Sequence, residues 1–207
     1  LSSAIYLGYR QDISAKATLN TGVRFTNTHL QANWIDQTFI TLPDPSITIA
    51  NTAITATLGY VYKPSKNWQI NSVLSSGFRA PNIDDVGRVR EKSGNITIPN
   101  IYVAPEFAYS AEFGLQKYFN NRRFRIGGNV FYTLLDNYIQ RDFVYAPDGS
   151  NLQVAFDGEF GNAVSNQNKG RAYITGFTSS YLGKISNRWN TSGFITYTKG
   201  RTYDTKE

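Results

Sequence analysis

Side chains alternate apolar and polar along one long segment after another, and a period of two admits only half-buried β-strands. In Ser3–Gln11, Ile5, Leu7 and Tyr9 oppose Tyr6, Gly8 and Arg10. In Ala17–Gln31, Leu19, Val23 and Phe25 oppose Asn20, Arg24 and Thr26, so an arginine stands on the polar side. Ala53–Tyr62 and Trp68–Phe78 set Ile54, Leu58, Tyr60 and Tyr62 against Trp68, Ile70 and Leu74 as one apolar face. Phe107–Tyr118 alternates Tyr109, Ala111, Phe113 and Leu115 with Ser110, Glu112 and Gln116. From Arg123 to about Gln140, Phe124, Ile126, Val130, Tyr132 and Leu134 oppose Arg125, Asn129 and Thr133. Arg171–Leu182 and Trp189–Lys199 make the last pair, in which Tyr173, Phe177 and Tyr181 compete with Ile174 and Leu182 for the apolar face.

The connections alternate as strictly as the side chains. Asp12–Lys16, Lys63–Asn67, Phe119–Arg122 and Gly183–Arg188 are short; Ala32–Asn51 with its Pro43-Asp44-Pro45 breaker, Arg79–Pro105, and Asp142–Asn168 with Pro147-Asp148-Gly149-Ser150 are long. About eight strands emerge, each near or above the roughly 9–11 residues that a tilted strand needs to cross a bilayer. The expectation is an all-β chain, an antiparallel transmembrane β-barrel segment with short turns on the periplasmic side and long loops outside. Leu1 and Glu207 then both lie on the extracellular side. A sheet that stopped at its first and last strands would leave roughly ten backbone groups per edge unpaired in hydrocarbon. Further strands are therefore expected on both sides. The chain has no methionine, which again points to a fragment.

Composition fits this reading. Aromatic residues make up 14% with 14 tyrosines, charged residues only 17%, and no apolar run approaches a helical span of about 20 residues. A mean hydropathy of −0.37 is what alternating lipid-facing and lumen-facing residues average to. Tyr62 and Trp68 bracket a short turn, where an aromatic girdle would lie. Without cysteine there is no disulfide or thiolate site. The +6 net charge is scattered, with no Lys/Arg block, so no nucleic-acid partner is expected. The single histidine, His29, could meet Asp84-Asp85 or Asp36 as the dyad of a barrel protease or hydrolase. A soluble β-sandwich carbohydrate-binding module is the other alternative, disfavoured by the unequal connections. No catalytic set, metal site or cofactor is otherwise expected.

One stretch is more specific. Phe78-Arg79-Ala80-Pro81-Asn82 leaves a strand, and Pro105-Glu106 starts the next. Pro81 cannot donate to a ladder and biases Ala80 toward extended backbone, so pairing stops there. This run resembles the middle of the barrel of TonB-dependent outer-membrane receptors. Gly22-Val23-Arg24-Phe25, Leu58-Gly59-Tyr60-Val61-Tyr62-Lys63-Pro64 and Asn129–Asp136 are similar to other strands of that family. The Pro81–Gly87 loop looks most like iron-chelate, haemin-type or cobalamin-type receptors of Bacteroidetes-like bacteria. Two positions depart from the family pattern: Gly176-Phe177-Thr178 stands where Gly-x-Glu is frequent, and Val103 where leucine is usual.

The resemblance implies one barrel domain covering residues 1–207, within a barrel of about 22 strands closed by a plug that these residues do not include. It also implies outer-membrane lipid, a small chelate ligand and, through the plug, the TonB complex as partners. Arg24, Gln69, Asn71, Glu112, Gln116, Arg125 and Asn129 would line the lumen. Trp34, Arg88, Arg90 and Tyr145 would serve as capture residues on the loops, since aromatic and cationic side chains suit an aromatic or anionic chelate.

Overall fold

The computed structural model describes residues 1–35, 38 and 46–203. In chain order the elements are β1 (Ser2–Ser14), β2 (Ala17–Asn33), β3 (Ser46–Ser65), β4 (Trp68–Arg79), α1 (Ile83–Val86), β5 (Arg90–Lys92) and β6 (Asn95–Thr97). They continue with β7 (Glu106–Phe119), β8 (Phe124–Asp136), β9 (Ile139–Phe143), β10 (Gln153–Phe156), β11 (Glu159–Asn168), β12 (Arg171–Lys184) and β13 (Asn190–Tyr203). Asp36, Phe39, Pro43, Asp44, Pro45 and Glu207 lie outside the described residues.

Eight long strands form one antiparallel sheet in the order β1-β2-β3-β4-β7-β8-β12-β13, a meander in which each strand pairs with its neighbour in the wall. Register partners share a face, so the alternation can be followed across the sheet. The row Leu19, Tyr60, Ser72, Phe113, Val130, Phe177 and Tyr197 belongs to the apolar face. The competition on β12 is thereby settled for Tyr173, Phe177 and Tyr181, with Ile174 and Leu182 on the polar side.

Several boundaries differ from the sequence reading. β3 runs on through Lys63 and Pro64, and its turn is only Lys66-Asn67; the register slips between Tyr62 and Ser65, and that bulge accommodates a proline that cannot donate. β8 ends at Asp136 because Asn137 adopts a positive φ of 54°, so the strand does not reach Gln140. β2 and β3 stay paired as far as Asn33↔Ser46, well into the span expected to be loop.

That ribbon explains itself through an inversion of polarity. Below, the polar face carries Arg24 beside Thr55 and the apolar face Phe25 beside Ile54. Beyond Thr28 and Asn51 the same polar-side positions become Leu30, Ala32, Ile49 and Ile47, while the other side becomes Asn27, His29, Gln31 and Asn33. The upper ribbon thus needs a cover on the side where the lower sheet is polar. The second and third long connections supply it.

Those connections are folded. β10, β11, β6 and β5 form a second sheet in that order, and β9 pairs with β11. β6 and β11 run parallel, Ile96 beside Ala163, although 67 positions separate them in sequence. Val86, Val103 and Ile47 form a buried cluster against which Leu30, Ala32, Trp34, Ile49, Ile101 and Ile139 pack. Val103 sits in this cluster at 4% exposure.

Candidate ligand-capture site

The Phe78–Asn82 run and Glu106 build the base of this cap. Arg79 and Glu106 are register partners, the last pair of β4 and β7. From there Arg79 reaches Asp85 with one nitrogen 2.8 Å from each carboxylate oxygen, while its other terminal nitrogen lies 3.9 Å from Glu106. Asn82 caps α1: its side chain accepts from Asp85 N at 3.0 Å, and Asp85 accepts from Asn82 N at 3.0 Å. Glu106 Oε2 accepts from Ile139 N at 2.8 Å, tying the third connection to the same point. Pro81 is buried, and Phe78 and Phe107 pack with ring centroids 6.2 Å apart. The motif therefore fixes where a 26-residue connection, 80–105, leaves and re-enters the wall.

Arg79→Gln keeps the size and removes the charge, leaving the mostly buried Asp85 carboxylate without its cation. We expect the cap to loosen by about 2 kcal/mol, read as faster amide exchange at α1 and unchanged exchange in β7 and β8. Equal exchange at α1 would refute the clasp.

Amide side chains stitch the two connections together. Asn166 donates to the carbonyls of Asp84 and Asp85 (3.3 and 3.1 Å), and its own carbonyl accepts from Asn100 at 2.8 Å. Asn168 accepts from Ala104 N at 2.7 Å and donates to Ala104 O at 2.9 Å and Asn137 O at 2.8 Å. These clamps were missed in the sequence, although the run Asn166-Gln167-Asn168 offers a signal: successive amides can satisfy backbone groups that no regular strand would.

Lys169 pairs with Asp142 across β9 and β11. The Lys169 ammonium, and then the Phe143 N–H, hold the Asp142 carboxyl below its usual range. A lowered folded value means that the stabilisation is complete above the unfolded carboxylate range, about pH 4, and is lost as pH falls below it. Amide protection at Ser165–Asn168 should therefore be flat from pH 7 to about 5 and decline below about 4, and Lys169→Gln should weaken that decline while the Phe143 N–H contribution remains.

The expected capture residues scatter over this unit. Trp34 is half-buried, donates Nε1 to Gly87 O at 3.0 Å and packs on the buried cluster, which makes it a strut of the cap. Arg88 follows Gly87 and is half-buried, Arg90 opens β5 on the surface, and exposed Tyr145 bridges to Asn151 in the connection from β9 to β10. His29 faces away from Leu30 and Ala32, the side on which the cap packs, and the Asp85 carboxylate is already engaged by Arg79. No His29–Asp85 dyad is assembled, and Asp36 is outside the described residues.

The seven polar wall residues share one face: Arg24, Gln69 beside Gln116, Glu112 beside Val73, Asn71 beside Gly114 and Asn129, and Arg125 beside Tyr118. The Asn71 amide fills the space over Gly114 that any larger residue would need. Asn71 Oδ1 and Arg125 Nε are buried with no hydrogen-bond partner among the described residues.

An antiparallel wall with one apolar and one polar face and a folded cap at its long-connection end is the architecture of a membrane barrel, and comparison with known proteins places it. The family model described as TonB dependent receptor-like, beta-barrel matches residues 2–207. The chain belongs to the TonB-dependent receptor β-barrel family, whose members are bacterial outer-membrane transport receptors. Among solved structures, it is similar to the copper transporter OprC (TM-score 0.72, 14% identity, 97% of this chain and 29% of that one). It is also similar to the FrpB iron transporter of Neisseria meningitidis, F3-3 variant (0.65, 14%, 97% and 26%). A third is the Serratia marcescens hemophore receptor HasR in complex with HasA and heme (0.66, 15%, 98% and 34%). At these identities the likeness is one of fold, and the chain spans roughly a quarter to a third of each neighbour. No match was found among curated protein sequences.

Proposed function

We propose that these residues form part of the wall and capture surface of an active-transport receptor that imports a scarce chelate, such as a ferric siderophore, haem or cobalamin. The observation that carries this is the family match across residues 2–207. The named neighbours, which include copper and iron transporters and a hemophore receptor, support a metal-bearing ligand. In this reading the apolar face meets outer-membrane lipid and the polar face lines a lumen. The open edges of β1 and β13 take further strands, and the cap carries Arg88, Arg90 and Tyr145 toward the ligand. Ligand capture would signal through a plug to the TonB complex, which draws on the proton-motive force.

The test is growth of a strain lacking the receptor gene on haem, a ferric siderophore or cobalamin as the single limiting source. A defect on one source, rescued by the intact gene only when TonB works, is the expected result and names the ligand class. Normal growth on all three would overturn the chelate reading.

A further inference from the structure

The short-turn end of the wall is cationic, and ligand uptake leaves that charge unused. Inside the sheet, Lys63 and Lys66 stand at the turn joining β3 to β4, and Lys117, Arg122 and Arg123 at the turn joining β7 to β8. The surrounding strands hold nothing to balance them. β2, β3, β4 and β12 contain no aspartate or glutamate, while β7 and β8 carry Glu112 in mid-strand and Glu106 and Asp136 at the opposite end. Two of these cations are already engaged. Lys117 lies on the apolar face over Trp68 at 4.7 Å and Phe119 at 5.1 Å, and Arg123 donates to Ile185 O at 3.0 Å. Lys63, Lys66 and Arg122 remain exposed, joined by Lys16 from the turn between β1 and β2, and none of the four has a carboxylate partner among the described residues.

Those four side chains line one groove of about 740 Å³, with Pro64 and Gln69 among its walls. Gln69 pairs in register with Gln116 on the polar face, and Arg122 stacks 4.5 Å over Tyr118, which stands on the same face beside Arg125. The turns are tied to one another: Lys63 N donates to Lys16 O at 2.7 Å, and Tyr118 N to Asn67 O at 2.8 Å. The charges therefore rise from a fixed backbone. Adjacent turns lie two strand spacings apart, about 10 Å. Lys16, the Lys63 and Lys66 pair, Arg122 and, at the end of β12, Lys184 thus form a row across the sheet.

We propose that this row binds peptidoglycan through the repeated carboxylates of its stem peptides. The short turns face the periplasm in the orientation that the alternating connections imply, and the cell wall is the extended polyanion of that compartment. A compact anion meets one turn. A polymer whose carboxylates recur along its length meets several, so that contacts weak one by one act together. A phospholipid headgroup stands instead on the apolar face, where Lys117 is already covered by two rings. The assignment needs this orientation and not the identity of the chelate.

The intact receptor, purified in mild detergent, is mixed with insoluble peptidoglycan sacculi stripped of protein, and the sedimented fraction is measured. It should bind at low salt and be released at high salt. Combined Lys16→Gln, Lys63→Gln, Lys66→Gln and Arg122→Gln should weaken binding by roughly tenfold or more, while heat-modifiable migration on gels confirms a folded barrel. Sacculi whose carboxylates have been amidated should fail to bind the parent. Equal binding by the quadruple variant overturns the proposal, as does equal loss when Arg90 and Lys92 of the cap are replaced instead. A larger loss of co-purified phosphatidylglycerol than of sacculus binding in the quadruple variant overturns it in favour of lipid. Ala15→Cys, in a receptor without other cysteines, reports the orientation separately: labelling by an impermeant maleimide only after the outer membrane is opened supports it, and labelling on intact cells overturns it.

Discussion

Val86→Asp is expected to unfold the cap while the eight-stranded wall still assembles. Val86 is 0% exposed and packs with Ile47 and Val103, so a carboxylate there either stays charged without a partner or is held neutral by burial. Either outcome costs roughly 4 kcal/mol or more, comparable with what a cluster of this size can supply. The wall draws on other contacts, namely its own ladders and lateral packing. Trypsin applied to intact cells should therefore cut at exposed Arg90 and Lys92 in the variant and leave the parent largely intact. Heat-modifiable migration should be the same in both. Protection at Arg90 equal to the parent's would show that the cap is not held by this cluster.

Gly176→Val is expected to prevent β12 and β13 from pairing and so to remove folded receptor from the membrane. A Cβ at Gly176 would collide with the Tyr197 carbonyl and approach Phe131 Cζ to 2.8 Å and Thr198 Cα to 3.1 Å. Two of these obstacles are backbone, which no rotamer change relieves, so a penalty above about 3 kcal/mol follows. Gly77→Val is the matched control, since that glycine lies on the same polar face, inside the sheet on β4, with nothing within 4 Å. Folded Gly77→Val at parental levels beside absent Gly176→Val is the expected pattern. Normal assembly of both would mean that the two strands can part at this point without cost.

The family's frequent glutamate two residues after such a glycine is Thr178 here, and the structure gives that threonine a modest task, a 3.0 Å hydroxyl contact with Thr196. The glycine is the part of the pattern with a steric reason.

The wall was legible because each strand repeats its alternation over many residues, and because Pro81 and Pro105 mark where β4 ends at Arg79 and β7 begins at Glu106. The cap was not. Its strands β5, β6 and β10 are three or four residues long, too short for a period to register, and β11 pairs in parallel with a partner 67 positions away. The extension of β2 and β3 was hidden by its own logic: once the apolar side switches at Asn27, the rule that found the strand reports its end. Trp34 illustrates the same limit. An aromatic residue in a presumed loop suggests ligand contact, and only the Gly87 carbonyl and the cluster beneath it show a strut.

The parallel pairing of β6 with β11 also bears on how such a surface is seen by an immune system. Gly94 O accepts from Asn162 N at 3.0 Å, so the tips of two connections distant in sequence present one continuous patch. An antibody raised against the folded receptor would bind residues from both tips at once. A synthetic peptide copying either connection alone would compete poorly for that antibody, and peptide immunogens drawn from one of them would raise sera blind to the native surface.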